Sequence, residues 1–210
     1  MPNIEPFEEL TERYDDWFEE HSGVYAEELK AIRELLPDFE KGVEIGVGTG
    51  RFAQPLGIET GLEPSPKMAE IARERGVDVV SGVAEALPFE DESFDFALMV
   101  TTICFVDDAQ KALKEIRRIL KPGGYIVVGF VDKKSPLGRL YRKNRQKSRF
   151  YKSAHFFSSE EVMGLLEKSG FSECKAVQTL FGDDLSRMKG GIKPGYGDGA
   201  FVAVRCKKGV

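Results

Sequence analysis

Apolar residues recur every three or four positions through EPFEELTERYDDWFEEH, which lines Phe7, Leu10, Tyr14, Trp17 and Phe18 on one helical face. Ser22-Gly23 interrupts the pattern. It resumes with Leu29, Ile32, Leu35 and Leu36 and stops before Pro37, so residues 3–36 read as two helices. The period then changes. A strand is predicted over about 41–46, a helix from about Gly50, and a second strand, GIETGLE, ending at Glu63. Pro64 and Pro66 lead into the helix SPKMAEIARERG, and VDVVSG follows as a third strand. FDFALMVTT is a nearly continuous apolar run, as a strand buried on both faces should be. Asp107 or Asp108 caps the helix DAQKALKEIRRIL, and KPGG turns into a fifth strand, YIVVGFV. Beyond it come a basic helix (SPLGRLYRKNRQKS), a helix start marked by Ser158 or Ser159 with Glu160 and Glu161, a sixth strand (FSECKAVQTLF), a glycine-rich loop over 182–199, and a last strand, AFVAVRCKK. This alternation predicts an α/β domain with a parallel sheet. Its expected boundaries are a helical cap or lid over 1–38 and the domain proper over 39–210, with a basic helical insertion at about 133–160.

Composition narrows the picture. A chain of 210 residues, 41% hydrophobic and 31% charged, is ordinary for one globular domain with a substantial core. It has neither an apolar run near the roughly 18 residues of a membrane span nor a signal-peptide start, and a cytoplasmic protein is expected. Cys104, Cys174 and Cys206 lie far apart and in no CxxC arrangement, which argues for a reducing compartment and against both a disulfide and zinc. With only His21 and His155, no metal centre is expected. The net charge of −5 argues against a nucleic-acid binder. Charge is unevenly placed, however: 13 acidic against three basic residues over 5–40, and nine basic with no acidic over 133–152. Scarce asparagine with abundant charge leans toward a thermophilic source.

The chemistry gathers at VEIGVGTG, where Gly46, Gly48 and Gly50 separate a strand from a helix. Glycines there let the backbone approach a ligand closely. A dinucleotide turn wants GxGxxG, but here the third glycine falls one place early and Arg51 follows it; the phosphate-gripping GxxxxGK is absent. A ligand without phosphate suits such a turn. Glu63 lies 17 residues after Gly46, near the spacing at which a carboxylate accepts both ribose hydroxyls.

With these residues in view, the chain resembles class I S-adenosylmethionine-dependent methyltransferases, the broad family that includes ubiquinone-biosynthesis and other small-molecule enzymes. VEIGVGTGRF (43–52), GLEPSPKM (61–68), SGVAEALPFEDESFDFALMV (81–100) and LKPGGYIVVGF (120–130) carry the resemblance, in the family's order. It implies a Rossmann-like, doubly wound, seven-stranded and mostly parallel sheet with a last antiparallel strand, plus the N-terminal helical cap. It implies S-adenosylmethionine as cofactor and S-adenosylhomocysteine as product. Glu44 and the turn Gly46, Val47, Gly48 and Gly50 would hold the methionine end, with the backbone near Thr101 at its amino group. Glu63 would take the ribose. Pro64 and Met68 would lie against the adenine, with Val83, Ala84 and Glu85 opposite. The family often has Asp where this chain has Val83, which leaves Glu85 as the nearby side-chain substitute.

The acceptor side is less determined. Methyl transfer needs alignment and exclusion of water more than a catalytic dyad, and none is evident. By residue type the candidates for proton transfer are His155 and Tyr14, with His21 beside them. Tyr14, Trp17, Phe18, Thr102, Phe105, Arg139, Tyr141 and His155 are the candidate acceptor-binding residues, because the N-terminal helices and the segment after the fifth strand both reach the carboxyl edge of the sheet. The acidic lid and the basic arm are expected to pair with each other or to stand as separate solvated faces. A small-molecule acceptor is expected, with no nucleic-acid or membrane partner and a monomer or homodimer. The alternatives are an RNA- or ribosome-modifying methyltransferase using 133–152, and a non-catalytic cofactor-binding sensor or adaptor.

Overall fold

Helices α1 (Glu5–Glu9), α2 (Thr11–Glu20) and α3 (Ser22–Leu35) precede the first strand, so the stretch read as two helices holds three. Leu10 sits at φ −124°, outside helical geometry, and the Thr11 hydroxyl donates to the Phe7 carbonyl at 2.5 Å across that break. The computed structural model describes residues 4–209; residues 1–3 of the expected cap, and Val210, lie outside the described residues.

From there the chain alternates. The elements are β1 (Gly42–Ile45), α4 (Ala53–Leu56), β2 (Thr60–Leu62), α5 (Pro66–Glu74), β3 (Asp78–Val80), β4 (Phe94–Val100), α6 (Ala109–Ile119) and β5 (Leu120–Val131). Then follow α7 (Pro136–Asn144), α8 (Ser159–Lys168), β6 (Phe171–Thr179), β7 (Lys193–Pro194) and β8 (Phe201–Lys208). The sheet runs β3-β2-β1-β4-β5-β8-β6-β7. Its first five strands are parallel, and β8 enters antiparallel between β5 and β6. This is the expected doubly wound Rossmann-like sheet with one addition. The two-residue β7, inside the glycine-rich loop, pairs with β6 at the edge and makes the described strands eight.

Local sequence explains the elements. Phe96, Leu98 and Val100 of β4 enter one core with Ile32 and Leu35 of α3, while Ala97 and Met99 enter the other with Leu113 and Ile116 of α6. A strand buried on both faces has no polar side to show. Asp108 caps α6 by accepting from the Lys111 N–H, and Ser158 with Glu161 forms a capping box on α8. Gly50 lies at φ +82°, which postpones α4 to Ala53 rather than letting it start at the glycine. The KPGG segment is part of β5, not a separate turn; Gly123 at φ +78° accompanies a register shift opposite Phe94 to Phe96.

The cysteine expectation is corrected. Cys174 on β6 and Cys206 on β8 form a disulfide across neighbouring antiparallel strands. Their separation of 32 positions in sequence conceals a pairing that the sheet register creates: the irregularity between Ser172 and Lys175 sets Cys174 beside Cys206. Cysteine usage therefore no longer points to a reducing compartment. No helix among the described residues is long and apolar enough to cross a membrane.

Candidate active site

At the carboxyl end of β1 the chain turns through Gly46 (φ +71°) and Gly48 (φ +55°), left-handed positions that favour glycine. The turn is anchored from outside. The Gly46 and Val47 N–H groups both donate to the Leu62 carbonyl, at 2.8 and 3.0 Å. The Thr102 hydroxyl donates to the Gly46 carbonyl at 3.2 Å, and a Cβ on Gly46 would lie 2.4 Å from Thr102 Cγ2. Thr101, at the end of β4, has φ +49°, an outlier for a β-branched residue, and directs the chain so that Thr102 meets the turn.

Glu63 closes the opposite side. Its carboxylate accepts from the Gly48 N–H and the Ser65 N–H, each at 2.9 Å, and only 7% of the residue is exposed. Burial pushes its carboxyl up to about 7, against the lowering effect of those two donors. A carboxylate has about four acceptor sites, so further acceptor capacity remains.

Arg51, standing where a dinucleotide turn would need glycine, fastens the lid. Asp15 of α2 accepts from Arg51 Nη2 at 2.6 Å, Arg75 Nη2 at 2.7 Å and the Thr49 hydroxyl at 2.6 Å. Arg51 Nη1 also reaches Glu19 at 2.6 Å. Burial alone would raise the Asp15 carboxyl, but the Arg51, Arg75 and Thr49 hydrogen bonds outweigh it and hold the group well below the usual carboxylate range. Thr49 belongs to the glycine turn itself, so the clasp registers α2 on the turn. The acidic lid thus pairs chiefly with Arg51 and Arg75. With the basic arm it shares the Arg149–Glu9 ion pair and ring contacts, Phe7–Phe150 at 5.5 Å and Tyr14–Phe150 at 6.1 Å between centroids.

Beneath lid and arm lies a cavity of about 600 Å³. Gly46, Gly48, Glu63, Pro64, Met68 and Ala84 line one end. Phe7, Trp17, Phe105, Tyr141, Phe150 and Tyr151 bring aromatic rings from the lid, from the segment after β4 and from the arm.

Comparison with known proteins accords with this geometry. Residues 43–128 match the family described as "Methyltransferase domain". A crystal structure of a SAM-dependent methyltransferase from Thermotoga maritima, described as a possible histamine N-methyltransferase, is 58% identical, with a TM-score of 0.95, over 98% of this chain and 99% of that one. The chain is a SAM-dependent methyltransferase. An uncharacterized protein of Methanocaldococcus jannaschii is 44% identical over 202 residues, 96% of this chain and 98% of its own length. A demethylmenaquinone methyltransferase of Staphylococcus aureus is 29% identical over 164 residues, 62% of this chain and 67% of its own length.

In the methyltransferase, Gly46, Gly48, Glu63, Pro64, Met68, Val83, Ala84, Glu85 and Thr101 all reach the cavity wall. Val47 and Gly50 face elsewhere: a Cβ on Gly61 would meet Val47 Cγ1 at 2.6 Å, and one on Gly50 would meet Ala72 Cα at 3.3 Å. They pack the turn onto β2 and α5. Glu44 is 1% exposed behind the wall, with Oε2 lacking a partner, and burial raises its carboxyl well above the ordinary value. Glu85 lines the cavity while accepting from the Asp107 and Asp108 N–H groups, so it also holds the start of α6. Tyr14, Trp17, Phe18, Thr102, Phe105 and Tyr141 are on the wall.

His155 and Arg139 are corrected. The His155 side chain is exposed, its ring lies 4.6 Å from that of Phe157, and it does not line the cavity. Arg139 donates from Nε and Nη2 to the Lys134 carbonyl, at 2.8 and 2.6 Å, on the outer side of α7. Several wall residues escaped the sequence reading, among them the polar Arg13, Glu20, Asn144 and Glu28; of these four only Glu28 of α3 is buried. Its spacing was the available signal, since residues 28, 32 and 35 share a helical face with the core residues Ile32 and Leu35. The cofactor end fits a nucleoside carrying an amino acid: a glycine cradle without Cβ atoms and spare carboxylate acceptors on Glu63.

Proposed function

We propose that this methyltransferase acts on a small molecule enclosed in the aromatic part of the cavity. The observation that carries the reading is continuity: one cavity joins the glycine turn and Glu63 to the rings of the lid and arm. Its volume is in the range typical of small-molecule sites. In this reading the Gly46–Gly48 turn holds the methionine end of S-adenosylmethionine, Glu63 accepts the ribose hydroxyls, and Pro64, Met68, Val83 and Ala84 enclose the adenine. The bound cofactor supplies a methyl group on a sulfonium centre, open to in-line displacement.

The chain's own residues then align the acceptor and exclude water, a contribution of roughly 7–11 kcal/mol in the best cases. Tyr14 crosses the junction of the two ends: a Cβ on Gly48 would lie 3.3 Å from its hydroxyl oxygen. Burial, and the nearby Glu63, Glu44 and Glu28 carboxyls, push its phenol above the ordinary value. The hydroxyl stays protonated and acts as a donor, not as a base.

The basic arm lends little support to an RNA substrate. Lys133 pairs with Glu161, Lys134 with Glu160 at 3.0 Å and Arg149 with Glu9, while Arg145 donates to the Ala154 carbonyl at 3.3 Å. Incubating the full chain with methyl-labelled cofactor and, separately, a small-metabolite pool and total RNA tests the reading. Label is expected in the metabolite pool. Label confined to RNA overturns it.

A further inference from the structure

Glu28 is 6% exposed, lines the cavity, and takes neither a hydrogen bond nor an ion pair from any described residue. The other deeply buried acids each accept at least one hydrogen bond: Glu44, though its Oε2 lacks a partner, accepts from the Ala53 backbone. Glu63 accepts two backbone N–H groups, and Asp132 accepts from the Lys134 N–H at 2.6 Å and the Ser159 hydroxyl at 2.5 Å. Burying an ionised carboxylate without a partner is costly, so such a group is retained where something else completes it.

The surroundings of Glu28 indicate what that is. Its charge is felt by Tyr14 of α2, Tyr141 of α7 and Tyr151 of the arm, the titratable groups facing it from the packed elements. Trp17 adds another π-face to the same cavity. None of these groups is a cation, and Arg13, which also lines the cavity, does not counter the effect of burial on the Glu28 carboxyl. Aromatic faces around an unpaired carboxylate make a receptor for an organic cation that carries N–H donors.

We propose that Glu28 receives the acceptor, and that the acceptor is a small amine whose protonated nitrogen donates to the Glu28 carboxylate between aromatic walls. This rests on the reading of the chamber as the acceptor site. Without the amine, burial keeps the carboxyl protonated at neutral pH, its pKa pushed up to about 8. An ammonium group entering the chamber supplies the counter-charge that ionises it, the carboxyl proton leaving to solvent; an ammonium nitrogen has no lone pair, so it anchors the acceptor while a second, unprotonated atom of the same molecule takes the methyl group. Glu28 is therefore a specificity residue, set apart from the donor-binding end.

A metabolite extract split by ion exchange into cationic, neutral and anionic fractions, each incubated with the full chain and methyl-labelled cofactor, tests this. The labelled product should arise from the cationic fraction. Its kcat/KM should fall about 10- to 100-fold in Glu28→Gln, the worth of one charge-assisted hydrogen bond. S-Adenosylhomocysteine affinity, measured by calorimetry on the same variant, should stay within about twofold of the parent and reports that the fold survives. Product from the neutral or anionic fraction, or an amine product formed equally well by Glu28→Gln, overturns the amine inference and leaves the small-molecule reading standing. No labelled small molecule in any fraction overturns both.

Discussion

At one end of the cavity Glu63 is held by two backbone N–H groups beside a glycine turn; at the other, Glu28 sits among aromatic rings with no partner from the described chain. Both carboxyls are buried, and burial raises both, to about 7 and about 8. The difference lies in what orients them. Backbone N–H groups from Gly48 and Ser65 grip the Glu63 carboxylate and leave little freedom. The surroundings of Glu28 come from α2, α3, α7 and the arm, held together by side-chain packing and the Asp15 clasp. A rigid backbone cradle suits a donor common to many enzymes, and a chamber of side chains suits an acceptor peculiar to one.

The largest expected effect strikes the backbone cradle. Gly46→Ala forces a side chain into a left-handed position and places Cβ 2.4 Å from Thr102 Cγ2. The strain alone is about 1–2 kcal/mol. Affinity for S-adenosylhomocysteine should fall about 100-fold or more by titration calorimetry, the equivalent of about 2.7 kcal/mol. Adding Thr102→Ala should recover part of it, and a single variant that binds normally breaks the view of the turn as a rigid cradle.

Next in size is the pH dependence carried by Glu28. Its folded pKa of about 8 lies above the ordinary carboxylate value. The stability it contributes is therefore fully present below about pH 4.3 and lost as pH rises through about 8, because the native state holds the proton longer. Melting temperatures of Glu28→Gln and the parent should diverge over this window, the variant becoming the more stable at high pH. Parallel curves refute the assignment of an unpartnered carboxyl.

The clasp should show a smaller effect of opposite sign. Asp15 is held below its ordinary range, so its stabilisation is present above about pH 3.9 and lost as pH falls through the lowered value. Asp15→Asn should speed amide exchange across α2 and raise the acceptor KM several-fold, with little change in α6. Uniform exchange acceleration throughout the sheet marks global destabilisation instead. Smallest of all, His155→Ala and Arg139→Ala should change kcat/KM by less than about twofold, as for surface substitutions away from a site.

Much of the fold was legible because its signals are local. The apolar run of β4, the caps at Asp108 and Ser158, and the glycines after β1 each act within a few residues. Misreadings arose where distant strands meet. The Cys174–Cys206 bond depends on β6 and β8 being neighbours, and β7 exists only because β6 offers an edge. Charge patterning held in part: the acidic lid does meet the basic arm, through Glu9–Arg149 and aromatic contacts, but it also pairs with Arg51 and Arg75 in the domain, which charge counts along the chain do not reveal.

The sequence by itself determined the α/β alternation and the glycine turn, since period and glycine placement are short-range properties of the chain, and the family resemblance of its motifs implied the methyl donor. Tertiary structure alone decided which acid is buried on the cavity wall without a partner from the described residues. Glu28 is one of 13 acidic residues over 5–40. Only the packing of α3 on the sheet and against α2 carries it to the cavity wall, and only burial without a partner gives a carboxylate a chemistry that its neighbours in sequence lack.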